Sequence, residues 1–308
     1  MKELIKNAQK IKSLEIQGAS NVAISAIEFL SDYAKRLKSD NIEECFKNLY
    51  KARDILIETR PTEPAMKNGL KFILSKLKEE NCNIEEIPDK IEMYKNQYYE
   101  MLQISKKKIA EIGVRRFPEN NKKFVVMTHC HSTLVTAILL EAQRQGKNFK
   151  VINTETQPKL QGRKTVHELL EAGIEVIHVV DSAMRWAVRR FQVKLILIGA
   201  DSITSEGTII NKIGSRLLAL VAHEENIPFY VCTPLLKYNP ETNLGLLETI
   251  EMRDPKEVWQ NAPEGVKIVN PAFETVSRRY IDGIITEAGI FASSHAPTYF
   301  AKLYPEMI

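Results

Sequence analysis

The 308-residue chain is poor in cysteine and has no long apolar run. Its four cysteines are widely spaced and form no Cys-x-x-Cys pair, which argues against a zinc module or a disulfide framework and favours free thiols in a reducing compartment. No apolar stretch reaches the roughly 18 residues that a membrane span needs, so no membrane partner is expected. Residues 1–6 are charged and contain no apolar signal core, so we expect a cytoplasmic protein.

The sequence also lacks the P-loop and GxGxxG glycine motifs, so nucleotide hydrolysis and dinucleotide redox chemistry have no motif support. The formal net charge is only +4, and the basic residues are spread evenly rather than gathered in a stripe with aromatic residues. Nucleic-acid binders usually concentrate basic charge, so no direct nucleic-acid partner is expected. A small positive charge suits a polyanionic small molecule.

Two parts of the chain differ in their pattern. In residues 1–117, apolar positions such as Ile24 and Ile27 recur at helical spacing, which predicts a helical domain. The Phe-Pro-Glu-Asn-Asn segment at residues 117–121 is the predicted boundary. Over residues 118–308, strands alternate with helices, which is typical of an α/β domain with a Rossmann-like, doubly wound and mostly parallel sheet.

Six apolar stretches of the second part are predicted to be strands. They are Phe124–Thr128, Phe149–Thr154, Glu175–Val180, Lys194–Gly199, Phe229–Thr233 and Asp282–Thr286. Helices are predicted at Thr133–Gln145, Thr165–Ala172 and Gly214–Glu225. Residues 237–270 are less regular and predict loops with short helices.

One segment combines a buried strand, a carboxylate and a predicted anion site. The strand delivers Asp201 to its C-terminal end, where open α/β sheets bind ligands. Asn211 and Lys212 are predicted to stand in the first turn of the next helix, whose N-terminus favours anions. The residues leave two roles open for Asp201, that of a buried proton carrier and that of a turn cap.

A second such segment, Thr128-His-Cys-His-Ser132, closes the first strand and opens a helix. The positive end of the helix dipole is predicted to lower the pKa of Cys130, and the two neighbouring imidazoles push the same way. A thiolate at this position would favour a catalytic role for Cys130, and the alternative is that Cys130 is a small, inert thiol of the core. No metal site is expected, because consecutive strand side chains point to opposite faces.

Three weaker signals concern phosphate recognition. The loop Glu155–Gly162 carries a carboxylate, two amides and a lysine, which suits a polyol or phosphate. Gln17-Gly-Ala-Ser20 has the composition of a backbone amide cradle or of an ordinary helix cap. Arg60 and Lys237 are candidate phosphate ligands, although each taken alone is more often a surface charge.

Together these motifs resemble one family over nearly the full length of the chain. The family contains the alpha, beta and delta subunits of translation initiation factor 2B and two sugar-phosphate isomerases, which act on methylthioribose 1-phosphate and ribose 1,5-bisphosphate. The shared motifs are Gln17-Gly-Ala, Thr59-Arg-Pro-Thr62, Thr128-His-Cys-His-Ser132, Glu155-Thr-Gln-Pro158, Gly199-Ala-Asp201 and Ile210-Asn-Lys-Ile-Gly214. Two further segments look most like the archaeal ribose-1,5-bisphosphate isomerase branch, namely Lys237-Tyr-Asn-Pro-Glu-Thr242 and Glu251-Met-Arg-Asp-Pro255.

The resemblance implies an aldose–ketose isomerase that converts ribose 1,5-bisphosphate to ribulose 1,5-bisphosphate in carbon metabolism linked to nucleosides and AMP. It implies catalytic roles for Cys130 and Asp201, no metal or redox cofactor, and self-association as a dimer or hexamer. The expected substrate-binding residues are Gln17, Gly18, Ala19, Ser20, Arg60, His131, Ser132, Gln157, Asn211, Lys212 and Lys237.

Gln17 and Gln157 depart from the isomerase pattern, which usually has arginine at both positions. Each change removes a bidentate phosphate ligand worth about 1.5–3 kcal/mol. Two alternatives therefore stay open: a non-catalytic regulatory subunit that binds initiation factor 2, and a methylthioribose-1-phosphate isomerase. The second is disfavoured, because Gln-Gly-Ala-Ser replaces the usual Arg-Gly-Ala-Pro of that branch. The chemical route, proton transfer through an enediol or a hydride shift, also stays open.

Overall fold

The first part of the chain is helical. The structure, a computed structural model, describes residues 1–13, 15–16, 18–80, 82–119, 123–246 and 248–307. The helices here are α1 (Lys2–Lys12), α2 (Ala19–Ala34), α3 (Ile42–Ile57), α4 (Pro64–Glu79) and α5 (Ile87–Gly113). A loop separates α3 from α4 at Pro61, as the sequence predicts, because proline disfavours a helical conformation in the residue before it.

Strands and helices alternate through most of the second part. The strands are β1 (Phe124–Thr128), β2 (Phe149–Thr154), β3 (Glu175–Val179), β4 (Leu195–Ile198), β5 (Ser202–Ile203), β6 (Ile209–Lys212), β7 (Phe229–Cys232), β8 (Phe273–Val276), β9 (Gly283–Thr286) and β10 (Gly289–Phe291). The helices are α6 (Thr133–Arg144), α7 (Gly162–Glu171), α8 (Met184–Phe191), α9 (Ser215–Glu224) and α10 (Ala296–Leu303). Between Leu235 and Glu257 the chain forms short 3-10 turns, in keeping with the predicted irregular segment.

The main sheet has the predicted architecture. Within the described residues, seven strands pair in the order β10-β9-β7-β4-β1-β2-β3. All neighbours in this sheet run parallel except β10, which pairs antiparallel with β9. The strand order reverses between β1 and β4, where Val126 lies opposite Leu195. Such a reversal is where doubly wound sheets bind ligands, and the predicted Rossmann-like fold class is confirmed.

A small antiparallel sheet, with the order β5-β6-β8, was not predicted. It corrects the expectation that Asn211 and Lys212 lie in the first turn of a helix. Both residues belong to β6, where they lie opposite Glu274 and Phe273 of β8. The physical reason is the turn at Gly207, after which the chain runs back alongside β5. The β-branched Ile209 and Ile210 are thereby buried in a strand.

The core is continuous across the predicted domain boundary. One buried apolar cluster includes Leu30 and Tyr98 of the helices as well as Ile196 of β4. The Asn68 side chain on α4 donates hydrogen bonds to the backbone carbonyls of Leu236 and Tyr238, both at 2.8 Å. The helices are thereby fixed against the strand ends. The division into domains at residues 117–118 stays a prediction.

In the ranges that the structure describes, no helix is both long enough and apolar enough to cross a bilayer. Helix α5 is 27 residues long, but charged side chains recur along it.

Candidate active site

A cleft of about 240 Å³ lies where the strand order of the main sheet reverses. The ends of β1 and β4, strand β6, the start of α2 and the loop before α4 all contribute to its lining. Eleven residues singled out in the sequence line it: Gly18, Ala19, Ser20, Arg60, Cys130, His131, Ser132, Asp201, Asn211, Lys212 and Lys237. The fold thus gathers side chains from both parts of the chain into one site, and their individual roles stay predictions.

One expected substrate ligand, Gln17, lies outside the described residues. The Gln157 side chain is exposed, is not among the residues that line the cleft, and donates to Glu155 at 3.0 Å. Its backbone N–H, together with that of Thr156, donates to the carboxylate of Asp181, which holds the loop against the end of β3. This placement does not support a contact of Gln157 with the substrate, and that role stays a prediction.

Several lining residues were not predicted: Asn21, Glu63, Thr133, Leu134, Gln161, Lys164, Gly199, Ala200, Arg253 and Phe273. Some had a signal in the sequence. Arg253 belongs to the motif at residues 251–255, and Glu63 directly follows the motif at residues 59–62. At position 199 only glycine fits without a shift of its neighbour, because a Cβ atom there would lie 2.7 Å from the Oγ atom of Ser132.

Cys130 is buried at the end of β1. Its φ angle is +66°, its backbone N–H donates to the Thr156 hydroxyl at 3.0 Å, and its carbonyl accepts a hydrogen bond from the Thr165 hydroxyl at 3.0 Å. Helix α6 begins only at Thr133, with Ser132 as its N-cap. Burial raises the pKa of the thiol to about 11, and Lys212 opposes this rise only in part. The predicted thiolate is therefore wrong for the free protein.

The two histidines beside Cys130 do not supply positive charge. In His129, Nε2 lies 2.7 Å from the Ile213 carbonyl, so it donates, and Nδ1 lies 2.5 Å from the Thr154 hydroxyl. Burial lowers the pKa of this imidazole, and the same cause lowers the pKa of His131. Imidazoles with lowered pKa values do not add positive charge beside Cys130, so the expected electrostatic assistance to a thiolate is also corrected.

A buried ion network lies on the helical side of the cleft. The Arg60 guanidinium is 3.1 Å from Glu63 Oε1 and 3.0 Å from Glu251 Oε2. Glu63 is 1% exposed, and burial raises the pKa of its carboxyl to about 7, against the opposing effect of Arg60. Lys237 Nζ donates to the carbonyl of Ala200 at 2.5 Å, which places an ammonium beside the backbone of Asp201.

Cations outnumber acids in the lining of the cleft. Five basic side chains and two carboxyl groups face it among the described residues. Lys212 lies 4.5 Å from the centre of the Phe273 ring and forms no ion pair within the described part of the chain. Beside it, the Asn211 amide donates to the Ser215 hydroxyl at 2.8 Å. An excess of cations in a partly buried cleft attracts polyanionic ligands.

No group of three or more histidine, cysteine, aspartate or glutamate side chains is placed to hold a metal ion in the segments that the structure describes. The fold and the cleft define a Rossmann-like α/β protein with a cleft at its switch point whose charged side chains are mostly cationic. A model of the initiation factor 2 subunit family matches residues 15–293. The chain belongs to this family.

Two curated relatives illustrate the similarity in sequence. The ribose 1,5-bisphosphate isomerase of Thermococcus kodakarensis is 39% identical over 298 residues, which cover 94% of this chain and 91% of that protein. The methylthioribose-1-phosphate isomerase of Acetivibrio thermocellus is 33% identical over 308 residues, which cover 94% of this chain and 88% of that protein. The resemblance found in the motifs is confirmed by both relatives.

Two solved structures, both from Pyrococcus horikoshii OT3, share the fold. One is a 5-methylthioribose 1-phosphate isomerase, with a TM-score of 0.79 and 26% identity, covering 97% of this chain and 88% of that chain. The other is described as translation initiation factor eIF-2B, with a TM-score of 0.78 and 28% identity, covering 95% of this chain and 98% of that chain. The fold thus occurs in proteins with different functional descriptions, and the residues of the cleft must decide between them.

Proposed function

We propose that this protein is an aldose–ketose isomerase that converts ribose 1,5-bisphosphate to ribulose 1,5-bisphosphate. One observation supports this above the others: the ends of the paired strands β1 and β4 place Cys130 and Asp201 in one cleft whose other charges are mostly cationic. A bisphosphate needs positive charge at both ends, and the relative from Thermococcus kodakarensis described above bears this activity in its name.

Other cations in the cleft can compensate for the absence of arginine at positions 17 and 157. Lys164 and Arg253 line the cleft in addition to the three cations expected from the sequence. Arg253 is held in place by Glu257, with the two side chains 2.6 Å apart. Arg253 supplies charge that glutamine cannot, and the exposed Lys164 adds a weaker, solvent-screened contribution, so the two departures do not by themselves argue against a bisphosphate substrate.

Asp201 is the proposed acid for ring opening. It would donate a proton to the ring oxygen, and the bond from C1 to that oxygen would break with its electron pair going to oxygen. Lys237 and Lys212, which line the same cleft, would hold the phosphates near the developing positive charge at C1. The proton released later from the 2-hydroxyl would return to the Asp201 carboxylate, which closes the cycle.

The buried thiol favours a hydride shift for the second half of the reaction. At pH 7, ionising a thiol whose pKa is about 11 costs about 5 kcal/mol, which the enediol route would have to meet. In the hydride route the C2 hydrogen moves to C1 with its electron pair, and the C2 carbonyl forms as the 2-hydroxyl loses its proton. Cys130 then acts as a neutral side chain that positions C1 and C2 and keeps water from the cation.

We propose a homo-oligomer, either a dimer or a hexamer. Trp186 on α8 and Leu217 and Leu220 on α9 are exposed apolar side chains on two helices that pack against each other. Exposed apolar side chains on neighbouring helices suit a contact surface between protein chains. Light scattering coupled to size-exclusion chromatography measures the mass directly, and a monomer at micromolar concentration would contradict this part of the proposal.

The experiment that tests the function is an assay of the purified protein with ribose 1,5-bisphosphate, with chromatographic detection of ribulose 1,5-bisphosphate. Methylthioribose 1-phosphate is assayed in parallel, and AMP is added to one set of reactions. The proposal predicts conversion of the bisphosphate with at least about a hundredfold preference over the other sugar, because an anion site without its phosphate is left unpaired. Conversion of the methylthio sugar alone would establish the alternative isomerase, and binding to initiation factor 2 without any turnover would establish a regulatory subunit.

A further inference from the structure

Glu63 lies in the proposed phosphate site although a carboxylate repels phosphate. Its side chain is almost completely buried and yet lines the cleft. One carboxyl oxygen, Oε1, lies 3.1 Å from the Arg60 guanidinium. The other oxygen, Oε2, is buried and has no hydrogen-bond partner among the described residues. An unpaired buried oxygen is costly, and a ligand in the adjoining cleft can become its partner if the carboxyl turns toward it.

The charges that face Glu63 come from four elements, and they nearly balance. Arg60 belongs to the same loop, Asp201 follows β4, Lys237 lies on the 3-10 turn after β7, and Glu251 is the second partner of Arg60. Two cations and two acids offset one another, so burial decides the protonation of the carboxyl. The resulting pKa of Glu63, about 7, means that gaining a proton at neutral pH costs little.

This inference rests on the isomerase function proposed above. We infer that Glu63 takes up one proton from solvent when the substrate binds, and that its carboxyl turns toward the cleft so that Oε2 donates a hydrogen bond to the substrate phosphate that Arg60 holds. No covalent bond of the substrate changes in this step. The neutral carboxyl no longer competes with the phosphate for the guanidinium, whereas an ionised carboxyl would face a phosphate dianion across the cleft. Glu63 is thus a substrate-binding residue that couples affinity to pH.

The consequence is a KM that depends on pH. Above pH 7 the free protein holds Glu63 ionised and must be protonated on binding, so KM rises by about tenfold for each pH unit. The value of kcat does not follow this change, because the proton is already present in the complex. The two substrate phosphates ionise with a pKa near 6, and their effect is the same for every variant of the protein.

Glu63→Gln tests the inference, because glutamine keeps the shape and the donor but has no proton to gain. We expect its KM to vary by less than about threefold between pH 7 and pH 9, while the KM of the wild type rises by well over tenfold. Glu251→Gln is the matched control, since it removes the other carboxylate bound to Arg60 from a residue that does not line the cleft. In Glu251→Gln, KM should rise with pH as steeply as in the wild type.

A Glu63→Gln enzyme whose KM rises with pH as steeply as that of the wild type would overturn the inference and leave the isomerase function intact. Absence of turnover in the wild type would instead contradict the proposed function. The same three proteins are then titrated with inorganic phosphate in a calorimeter at pH 7 and pH 9. A loss of phosphate affinity at pH 9 that is absent in Glu63→Gln supports the inference, and equal losses in all three proteins refute it.

Discussion

The two walls of the cleft differ in the groups that they present. The wall formed by the ends of β1 and β4 presents a thiol and a carboxyl, Cys130 and Asp201. The helical wall presents the start of α2 and the guanidinium of Arg60. Strand ends in a buried sheet hold reacting groups firmly, whereas helix starts and arginine suit anions. Variants of the first wall should therefore lower kcat, and variants of the second should raise KM.

The largest effect is expected at the strand wall, for Asp201→Asn. Asparagine keeps the size of the side chain and cannot protonate the ring oxygen, so kcat should fall by about 10²–10⁴-fold while KM changes little. Steady-state kinetics on ribose 1,5-bisphosphate measure both constants. Asp282→Asn serves as the control, because Asp282 accepts a hydrogen bond from the Phe229 backbone outside the cleft. A tenth or more of the wild-type kcat in Asp201→Asn would contradict the assignment.

On the helical wall, Arg60→Lys keeps the charge and loses the forked donor geometry. Loss of one charge-assisted hydrogen bond to a phosphate should raise KM by about tenfold and leave kcat within about threefold. Arg163→Lys is the matched control, since Arg163 pairs with Glu155 and does not line the cleft. If Arg60→Lys lowered kcat and left KM unchanged, the claim that the helical wall binds the substrate while the strand wall reacts would be contradicted.

A smaller effect is expected at the rim, for Lys164→Gln. The Lys164 side chain is 61% exposed and its ion pair with Glu168 is long, at 3.9 Å. Its contribution to phosphate binding is screened by solvent, so KM should rise by less than about threefold at physiological salt. The difference from the wild type should vanish at 0.5 M salt. A KM increase that persists in high salt would show a buried, direct contact instead.

The smallest effect is a predicted absence of any rise in kcat with pH. Because the pKa of Cys130 is raised to about 11, the thiol stays protonated below that pH. A mechanism that uses the neutral thiol gives no rise in kcat between pH 7 and pH 9, because its acid, like the thiol, acts in the protonated form. A mechanism that uses the thiolate as a base gives a rise of about tenfold per pH unit over the same range. The pH profile of kcat at saturating substrate separates these routes.

The sequence was sufficient for the main sheet because its strands are buried apolar runs. The predicted bounds of β1 and β2 agree with the structure at both ends, and the other four predicted strands agree to within one residue at each end. The small sheet escaped prediction because β5 has only two residues and β6 ends in polar side chains that suit a helix start equally well. A short strand is defined by its partners, which a sequence pattern does not show.

Most of the residues that the sequence assigns to the cleft do line it. Their pKa values, in contrast, could not be predicted from the residues next to them in the sequence. The pKa of Cys130 depends on burial, which dominates over a helix that begins three residues later. Glu63 precedes Pro64 at a helix start, where an exposed capping acid is the ordinary interpretation. Only the packing of Arg60 and the strand ends around it makes this acid a buried group in the cleft.

The most direct test of the account compares two thiols in one assay. Cys130 and Cys82 are buried to nearly the same degree, but Cys130 lines the cleft and Cys82 lies before α5, away from it. We predict that the wild type converts ribose 1,5-bisphosphate, that Cys130→Ser lowers kcat by at least about tenfold because the smaller hydroxyl positions C1 and C2 less well, and that Cys82→Ser stays within about twofold of the wild type. No conversion by the wild type, or equal losses in the two variants, would contradict the claim that this cleft is the active site of an isomerase.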